Sequence, residues 1–253
     1  MMKHIKKSFF ILIVLSGLLL GGCSDGDIDD IGALISDVLD IESGQSETVS
    51  APADKSLLEL EYDGEHQTVE IDDGKTTFTD DELSLDKGGW QTFSDLDKYN
   101  RVGVADAMLN QSMMPTEERE SLYVDPTGWK NKELTIDGKK IWLYNRSHLI
   151  GYQFTGENNN LKNLMTGTSS LNNPGMLDYE SQVADYIHET DNHVRYQVEP
   201  VFKDNELVAR GVHMQAKSVE DEALEYNVYI FNVEPGVEIN YKDGSSTVTS
   251  NNK

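Results

Sequence analysis

The sequence predicts one α+β domain that is rich in β-sheet, has few helices and contains a short metal finger. Three observations support this fold class. Short runs of alternating apolar and polar residues are separated by Asp-Gly and Asn-rich turns, which is typical of antiparallel strands. A pronounced helical periodicity follows Pro174-Gly175. From about Leu57 onward, roughly 190 residues remain, which fit a single domain with a substantial core.

The first part of this domain is predicted to be mostly strand. Leu58–Tyr62 and Gln67–Ile71 alternate apolar and polar residues around Asp63-Gly64, so they predict a hairpin. Met114–Glu120 has the composition of a short helix start, and Pro126–Trp129 that of a loop. Further strands are expected at Thr76–Thr79, Trp90–Ser94 and Val102–Met108.

The metal finger is predicted from a strand, a second strand and a helix that follow one another. Good β-formers in Lys140–Tyr144 lead into Asn145-Arg146-Ser147-His148, which places an arginine and an imidazole at the end of a strand. Turn residues fill Gly156–Asn160, and a second strand is expected around Asn163–Thr168. The helix then has apolar residues at helical spacing, namely Met176, Tyr179, Val183 and Ile187.

The remainder of the domain is predicted to be sheet and then a polar tail. His193–Phe202 and Leu207–Ala216 flank a turn and predict a second hairpin. Tyr226–Val233 is expected to be the last strand, and the chain is polar from Lys242 onward.

The N-terminal segment indicates export. Three lysines in Met1–Lys7 precede an apolar core too short to span a bilayer, and Gly21-Gly22-Cys23 follows, like a bacterial lipoprotein cleavage box. Cys23 is the only cysteine, so it forms no intramolecular disulfide, and lipidation would explain it. We therefore expect a protein anchored outside the bacterial membrane through Cys23, with an ordinary secretory signal as the alternative. The predicted division is 1–22 signal peptide, 23–55 acidic linker, 56–245 catalytic domain and 246–253 polar tail.

Charge is unevenly distributed along the chain. The formal net charge is −24, and Ser24–Asp54 has nine acidic residues and no basic one, which favours a solvated spacer over a docking helix. A binder of duplex DNA usually has a basic footprint. Trp129–Lys162 nevertheless contains six basic residues against three acidic ones, and it surrounds the predicted site. A local positive field of this kind can serve a substrate phosphate.

The residue types of the finger predict hydrolysis at a phosphate. His148 is the candidate base because the pKa of imidazole lies close to neutral pH. Asn172 offers a neutral oxygen ligand, and a site with one protein ligand and several waters suits Mg²⁺, with Mn²⁺ as the second candidate. Zn²⁺ is disfavoured because no cysteine or paired histidine accompanies His148.

Three further residues support that site. Arg146 lies two residues before His148, so it is expected on the same strand face, where its planar fork can hold phosphate oxygens. Glu180 on the helix is expected to hold a metal-bound water, and Asn163 to bond the base or the phosphate. Taken singly, each of these residues also fits an ordinary structural or surface role, and the case for them depends on their joint spacing.

That spacing resembles a known family. Asn145-Arg146-Ser147-His148 is similar to the Asp-Arg-Gly-His motif of the DNA/RNA non-specific endonucleases, the ββα-metal or His-Me finger nucleases. Asn163, Asn172 and Glu180 match that family's two asparagines and helix glutamate, and the stretch following His148 resembles the secreted branch from Gram-positive bacteria. The resemblance extends more faintly from about Tyr62 to Gly244. Asn145 and Ser147 depart from the motif.

The resemblance implies a function and a site. It implies that His148 activates water, that Asn172 binds one Mg²⁺, that Arg146 steadies the phosphate, and that Asn163 and Glu180 support them. DNA and RNA are the implied substrates, with little sequence preference. The sequence identifies no protein partner. The alternative is a surface-anchored nucleic-acid-binding lipoprotein that has the nuclease fold but little turnover, which the acidic charge and the two motif departures favour.

Overall fold

The structure is a computed structural model and describes residues 49–51, 56–136 and 138–249. The predicted signal peptide, the predicted lipidation site Cys23 and most of the predicted acidic linker therefore lie outside the described residues. Within the described part of the chain, no helix is long and apolar enough to cross a membrane.

A seven-stranded sheet forms the centre of the domain, in the order β1-β2-β11-β10-β9-β4-β3. Its neighbouring strands are antiparallel except for the β1–β2 pair, which is parallel. The long strands β9 and β10 form the predicted second hairpin, in which Met214 lies opposite Val198. The sheet strands are β1 Val49–Ala51, β2 Thr68–Ile71, β3 Trp90–Phe93, β4 Ala105–Leu109, β9 Val194–Val201, β10 Gly211–Ser218 and β11 Glu225–Phe231.

The predicted strand, strand and helix form a separate unit, the finger, beside this sheet. Strands β7 (Tyr144–His148) and β8 (Leu164–Thr168) pair antiparallel, with His148 opposite Leu164. A one-turn helix, α1 (Tyr152–Thr155), lies in the connection, and a wide helical turn, Leu171–Met176, leads into α2 (Leu177–Thr190). The fold therefore confirms an α+β, sheet-rich domain with few helices.

One apolar core joins the finger to the sheet. Val183 and Ile187 of α2 are fully buried, and they belong to the same cluster as Tyr196, Val212 and Met214 of the sheet. Burying an aliphatic side chain of this size stabilises the fold by about 1.5–3 kcal/mol. The helix that carries Glu180 is therefore fixed against the sheet.

The opposite side of the sheet, the back face, has a polar region beside an apolar cluster that contains Tyr229 and Phe231. Because side chains alternate along a strand, the neighbours of the core residues in β9, β10 and β11 point away from the core. Arg195 is buried there, where it pairs with Asp106 at 2.5 Å and packs against the rings of Phe78 and Trp90. Further members of this polar region are Gln197, His213, Gln215, Glu225 and Asn227.

Two small hairpins complete the fold. β5 (Glu133–Ile136) pairs with β6 (Lys139–Trp142), and β12 (Val237–Asn240) pairs with β13 (Ser245–Val248). They share an apolar cluster with Tyr144, the first residue of β7. Pairing continues to Val248, so the ordered fold passes the domain end that the sequence analysis set at residue 245.

Several predicted elements are wrong. Leu58–Tyr62 is not a strand, because Leu57, Leu60 and Tyr62 instead pack on Tyr229 and Phe231, and β2 pairs with β11. Residues 76–79 form no strand, and residues 114–120 form no helix. β11 is not the last strand of the domain, since β12 and β13 follow it. These segments are organised by contacts with distant residues, which local patterns do not reveal.

Candidate active site

His148 lies at the end of β7 and is nearly enclosed by protein. Its side chain is 7% exposed, and its Nε2 donates a hydrogen bond to the carbonyl oxygen of Asn158 at 2.8 Å. A carbonyl oxygen only accepts, so this bond fixes the proton on Nε2 and leaves the lone pair on Nδ1. The geometry gives His148 the neutral tautomer that a proton acceptor requires.

Burial keeps this imidazole uncharged. It lowers the pKa of His148 from 6.5 to about 4; the carbonyls of Asn158 and Glu157 oppose this effect, and the positive charge of Arg119 adds to it. His148 is therefore neutral near pH 7 and able to take a proton.

The strand pair accommodates a departure from the family motif. Ser147 is fully buried, and its Oγ lies where a side chain at residue 167 would extend, but Gly167 has none. The serine therefore fits between the strands without displacing β8.

Asn163 links the end of β7 to the start of β8, next to His148. It is fully buried; its Oδ1 accepts from the Ile150 amide at 2.8 Å, and its Nδ2 donates to the Ile150 carbonyl at 2.9 Å. Its own carbonyl accepts from Leu149 at 2.9 Å. The sequence analysis expected Asn163 to bond the base or the phosphate, but in the structure both ends of the amide are used on the backbone just after His148. Its geometry is that of a positioning residue.

Asn172 lies in the wide turn between β8 and α2 and is partly exposed. Its backbone carbonyl accepts the amide of Leu177. Its side-chain amide makes no hydrogen bond to any described residue. The amide oxygen is therefore free to bind a ligand from solution.

Glu180 lies in the first turn of α2, with its carboxylate directed at Gly151, three residues after His148. Burial raises the pKa of Glu180 to about 7, and the charge of Arg119 partly opposes this rise. No described residue donates a hydrogen bond to the carboxylate. The structure thus brings Glu180 to the same side of the finger as the backbone that follows the base.

Arg146 has contacts of its own. Its Nε donates to the Val124 carbonyl at 2.8 Å, its Nη2 pairs with Asp125 at 2.8 Å, and its guanidinium lies 4.5 Å from the centre of the Trp129 ring. Within the described part of the chain, Arg146 makes no bond to another predicted site residue. It anchors the loop before β5 to β7, with Nη1 left without a hydrogen bond.

The sequence analysis missed Arg119. This exposed arginine acts electrostatically on both His148 and Glu180, and it makes no ion pair or hydrogen bond with the described residues. Its loop is held over the finger by Tyr152, which donates to Glu117, and by Asn158 and Asn159, which donate to Glu120 and Ser121. The only signal in the sequence was the faint resemblance of Met114–Arg119 to the family.

The donor set fits a hard divalent cation that keeps most of its waters. The available groups are the Asn172 amide oxygen and the Glu180 carboxylate, which are oxygen donors of the kind that Mg²⁺ accepts. Among the described residues, no group of three or more histidine, cysteine, aspartate or glutamate side chains is arranged to hold a metal ion. The residues present therefore suit a site completed by water.

Comparisons with known proteins identify the family and support the fold. The family model described as DNA/RNA non-specific endonuclease matches residues 82–220, a segment that contains Arg119 and the whole finger. The crystal structure of NucA from Streptococcus agalactiae with magnesium bound is 26% identical, with a TM-score of 0.63 over 71% of this chain and 85% of that one. Sda1 nuclease with bound zinc is also 26% identical, with a TM-score of 0.56 over 64% and 80% of the two chains. A structure titled extracellular endonuclease shares the fold at 21% identity, with a TM-score of 0.54 over 69% of this chain and 95% of that one.

The sheet-rich fold and the matched segment define a nuclease, a hydrolase whose substrate is nucleic acid. The chain belongs to the DNA/RNA non-specific endonuclease family.

Proposed function

We propose that this nuclease is a metal-dependent, sequence-nonspecific endonuclease that hydrolyses phosphodiester bonds of extracellular DNA and RNA. The observation that carries the proposal is the buried, neutral His148, whose Nε2 is occupied by Asn158 and whose Nδ1 is left as a proton acceptor.

His148 takes the proton from the attacking water. The hydrogen bond from Nε2 to Asn158 orients the ring, and as Nδ1 gains a proton this bond stabilises the imidazolium that forms. Asn163 supports this step indirectly, because it fixes the backbone of Leu149 and Ile150 next to the base. The base therefore needs no carboxylate partner to set its tautomer.

Arg119 and Arg146 supply positive charge for the phosphate. Arg119 acts electrostatically on His148 and has no partner among the described residues. Its guanidinium is therefore available for bidentate hydrogen bonds to phosphate oxygens. Arg146 is already bound through Nε to Val124 and through one hydrogen of Nη2 to Asp125, and the Asp125 carboxylate offsets its charge. We therefore assign the larger share of phosphate binding to Arg119.

Asn172 and Glu180 would hold the divalent cation, Asn172 directly and Glu180 through a bound water. When bound, such a cation stabilises the negative charge that develops on the phosphate and the leaving oxygen. The magnesium named for NucA and the oxygen donors here support Mg²⁺, with Mn²⁺ as the second candidate. The zinc named for Sda1 is less well matched by these donors.

The proposed residues distinguish neither sugar nor base. His148, Arg119 and Arg146 act on water and phosphate, which DNA and RNA share, and none is assigned to a 2′-hydroxyl or a base edge. This supports cleavage of both nucleic acids without sequence preference.

Lipid anchoring through Cys23 is proposed from the sequence alone. Cys23 follows Gly21-Gly22 at the end of the signal-like segment, and the structural neighbour titled extracellular endonuclease supports a location outside the cell. Cys23→Ser should shift the protein from the membrane fraction to the medium or leave it as precursor. An unchanged membrane fraction on immunoblotting would contradict the anchor.

In the central experiment, purified protein comprising residues 49–253 is incubated with plasmid DNA or with a structured RNA. Each reaction contains either Mg²⁺ or EDTA. We expect both substrates to be cut with Mg²⁺ and neither with EDTA. Binding without cleavage in Mg²⁺ would favour the anchored binding protein instead. Cleavage that persists in EDTA would exclude the metal-dependent reaction.

A further inference from the structure

We propose that Asn232 and Glu234 are positioning residues for the turn that carries Asn172. They lie in a segment after β11, beyond the part of the chain that the family model matches, and we call them the Asn232–Glu234 clasp. The proposal rests on the proposed function, because it takes Asn172 as the metal ligand.

Asn232 holds the end of β8. It is fully buried, its Oδ1 accepts from the Thr168 amide at 2.9 Å, and its Nδ2 donates to the carbonyls of Thr166 and Ala209 at 3.0 Å each. These bonds use the amide's donors and an acceptor, so they fix the strand that leads to Asn172 relative to the central sheet.

Glu234 binds the residue immediately before the turn. Its Oε2 accepts from the Ser170 amide at 2.9 Å, across 64 residues of sequence. The carbonyl between the two clasp residues, that of Val233, accepts from the hydroxyls of Thr168 and Ser170 at 2.6 Å each. Segment 232–234 therefore binds consecutive polar groups just before Asn172.

The turn needs such support because it does not hold itself in a regular helix. Asn173 has φ −147° and ψ 118°, outside the helical region, and Pro174 in the same turn has no amide hydrogen to donate. No side chain of the turn caps its start, and the Asn172 amide makes no hydrogen bond to the described residues. The position of Asn172 is thus set by Ser170 and Leu171 before it and by α2 after it.

Burying the carboxylate of Glu234 has an unfavourable desolvation free energy. Glu234 is 9% exposed, and burial raises the pKa of its carboxyl, so an apolar residue would stabilise simple packing better. What the carboxylate adds is a strong acceptor aimed at one amide, with Gln67 donating to the Ser170 hydroxyl at 3.1 Å from the other side. This arrangement sets a position rather than adding apolar contact.

The test is titration of the domain with Mn²⁺ by calorimetry, without nucleic acid, with thermal unfolding of each variant alongside. Outer-shell partners of metal sites change metal affinity by about 10–100-fold, so Glu234→Ala should weaken Mn²⁺ binding about tenfold or more. Glu234→Gln keeps an acceptor oxygen and should bind close to wild type. Glu234→Asp retains the charge but shortens its reach, and should fall between the two.

Asn227→Ala is the matched control. Asn227 is as buried as Asn232 and fully hydrogen-bonded, to His213 at 2.6 Å and Lys75 at 2.7 Å, but it lies on the back face. The Asn227→Ala variant should have a lower unfolding temperature than wild type but the same affinity for Mn²⁺. The proposal is overturned if Glu234→Ala or, where that variant does not fold, Glu234→Asp binds Mn²⁺ like wild type, or if Asn227→Ala weakens binding equally.

Asn172→Ala in the same titration separates this inference from the proposed function. If Asn172→Ala loses Mn²⁺ binding and the Glu234 variants do not, the clasp alone is wrong. If Asn172→Ala also binds Mn²⁺ like wild type, Asn172 is not the metal ligand, and the proposed role of the clasp is contradicted as well. Loss in Asn172→Ala and in Glu234→Ala, with recovery in Glu234→Gln, supports both.

Discussion

The finger and the back face of the sheet contain the same residue types but use them differently. Each has a histidine with a lowered pKa, the buried His148 in the finger and the partly buried His213 on the back face. Each region also contains an asparagine and a glutamate, Asn172 and Glu180 in one, Asn227 and Glu225 in the other.

On the back face, these groups bind one another. His213 bonds to the Asn227 oxygen, and the Asn227 amide donates to the Lys75 carbonyl. Burial alone would raise the pKa of Glu225, but hydrogen bonds from Lys75, Thr76 and Lys217 lower it to about 2. Asn227 and Glu225 are therefore held in a structural network, although Nδ1 of His213 and Nε of the neighbouring Arg195 make no hydrogen bond to the described residues.

In the finger, the corresponding groups are kept available. No described residue makes a hydrogen bond to the side-chain amide of Asn172 or to the carboxylate of Glu180, whereas His148, like His213, uses one ring nitrogen. The comparison teaches that residue type and burial do not identify a site. The finger differs from the back face in the hydrogen-bonding capacity that the fold leaves unused on its asparagine and its glutamate.

The largest expected effect separates the two histidines. His148→Ala should reduce the rate of DNA cleavage by about 10²–10⁴-fold, because a positioned base contributes that much. His213→Ala should leave the rate of the folded protein within a few-fold of wild type. Both are measured as initial rates on plasmid DNA at neutral pH, with circular dichroism to verify folding. Similar losses in both variants would remove the distinction between the regions.

A smaller effect is expected at the arginines. Arg119→Ala should lower turnover by about 10–100-fold, because a charge-assisted bond to the phosphate is lost, worth about 1.5–3 kcal/mol. Arg146→Ala should have less effect, since its guanidinium is already tied to Asp125. The exposed Lys98, which lies over the Tyr99 ring, provides the control variant Lys98→Ala. A greater loss in Arg146→Ala than in Arg119→Ala would reverse the assignment.

The effects expected to be smallest at neutral pH concern stability, where the two regions should respond in different pH windows. The folded-state pKa of His148 is lowered from 6.5 to about 4, so the unfolded chain takes up the proton first as pH falls. Stability should therefore drop between pH 6.5 and 4, by about 3 kcal/mol at most. In His148→Ala the slope of unfolding free energy in this window should be shallower. An unchanged slope in urea titrations would contradict the buried neutral imidazole.

The back face should respond at lower pH. The pKa of Glu225 is lowered from 4.5 to about 2, so its contribution is fully present above pH 4.5 and is lost as pH falls toward 2. Glu225→Gln should flatten the stability profile below pH 4.5 and leave the window between pH 6.5 and 4.5 unchanged. A change confined to the higher window would show that the two regions are coupled.

The sequence by itself determined the finger. His148, Asn163, Asn172 and Glu180 lie within 33 consecutive residues, and β-formers, turn residues and helical spacing dictate strand, strand and helix locally. These local patterns predicted the fold class, and the spacing of the four residues carried the resemblance to the family. The β9–β10 hairpin was predictable for the same reason, because its strands are joined by a short connection.

Only the tertiary structure decided what surrounds the finger. Arg119 reaches it from a loop 29 residues before His148, and Glu234 holds the Asn172 turn from 64 residues away, so neither contact has a local pattern. The partner of His148 is a backbone carbonyl, which every residue has and no sequence motif can specify. Local periodicity fixes which element a residue joins, whereas the groups that meet across the fold depend on how the elements pack.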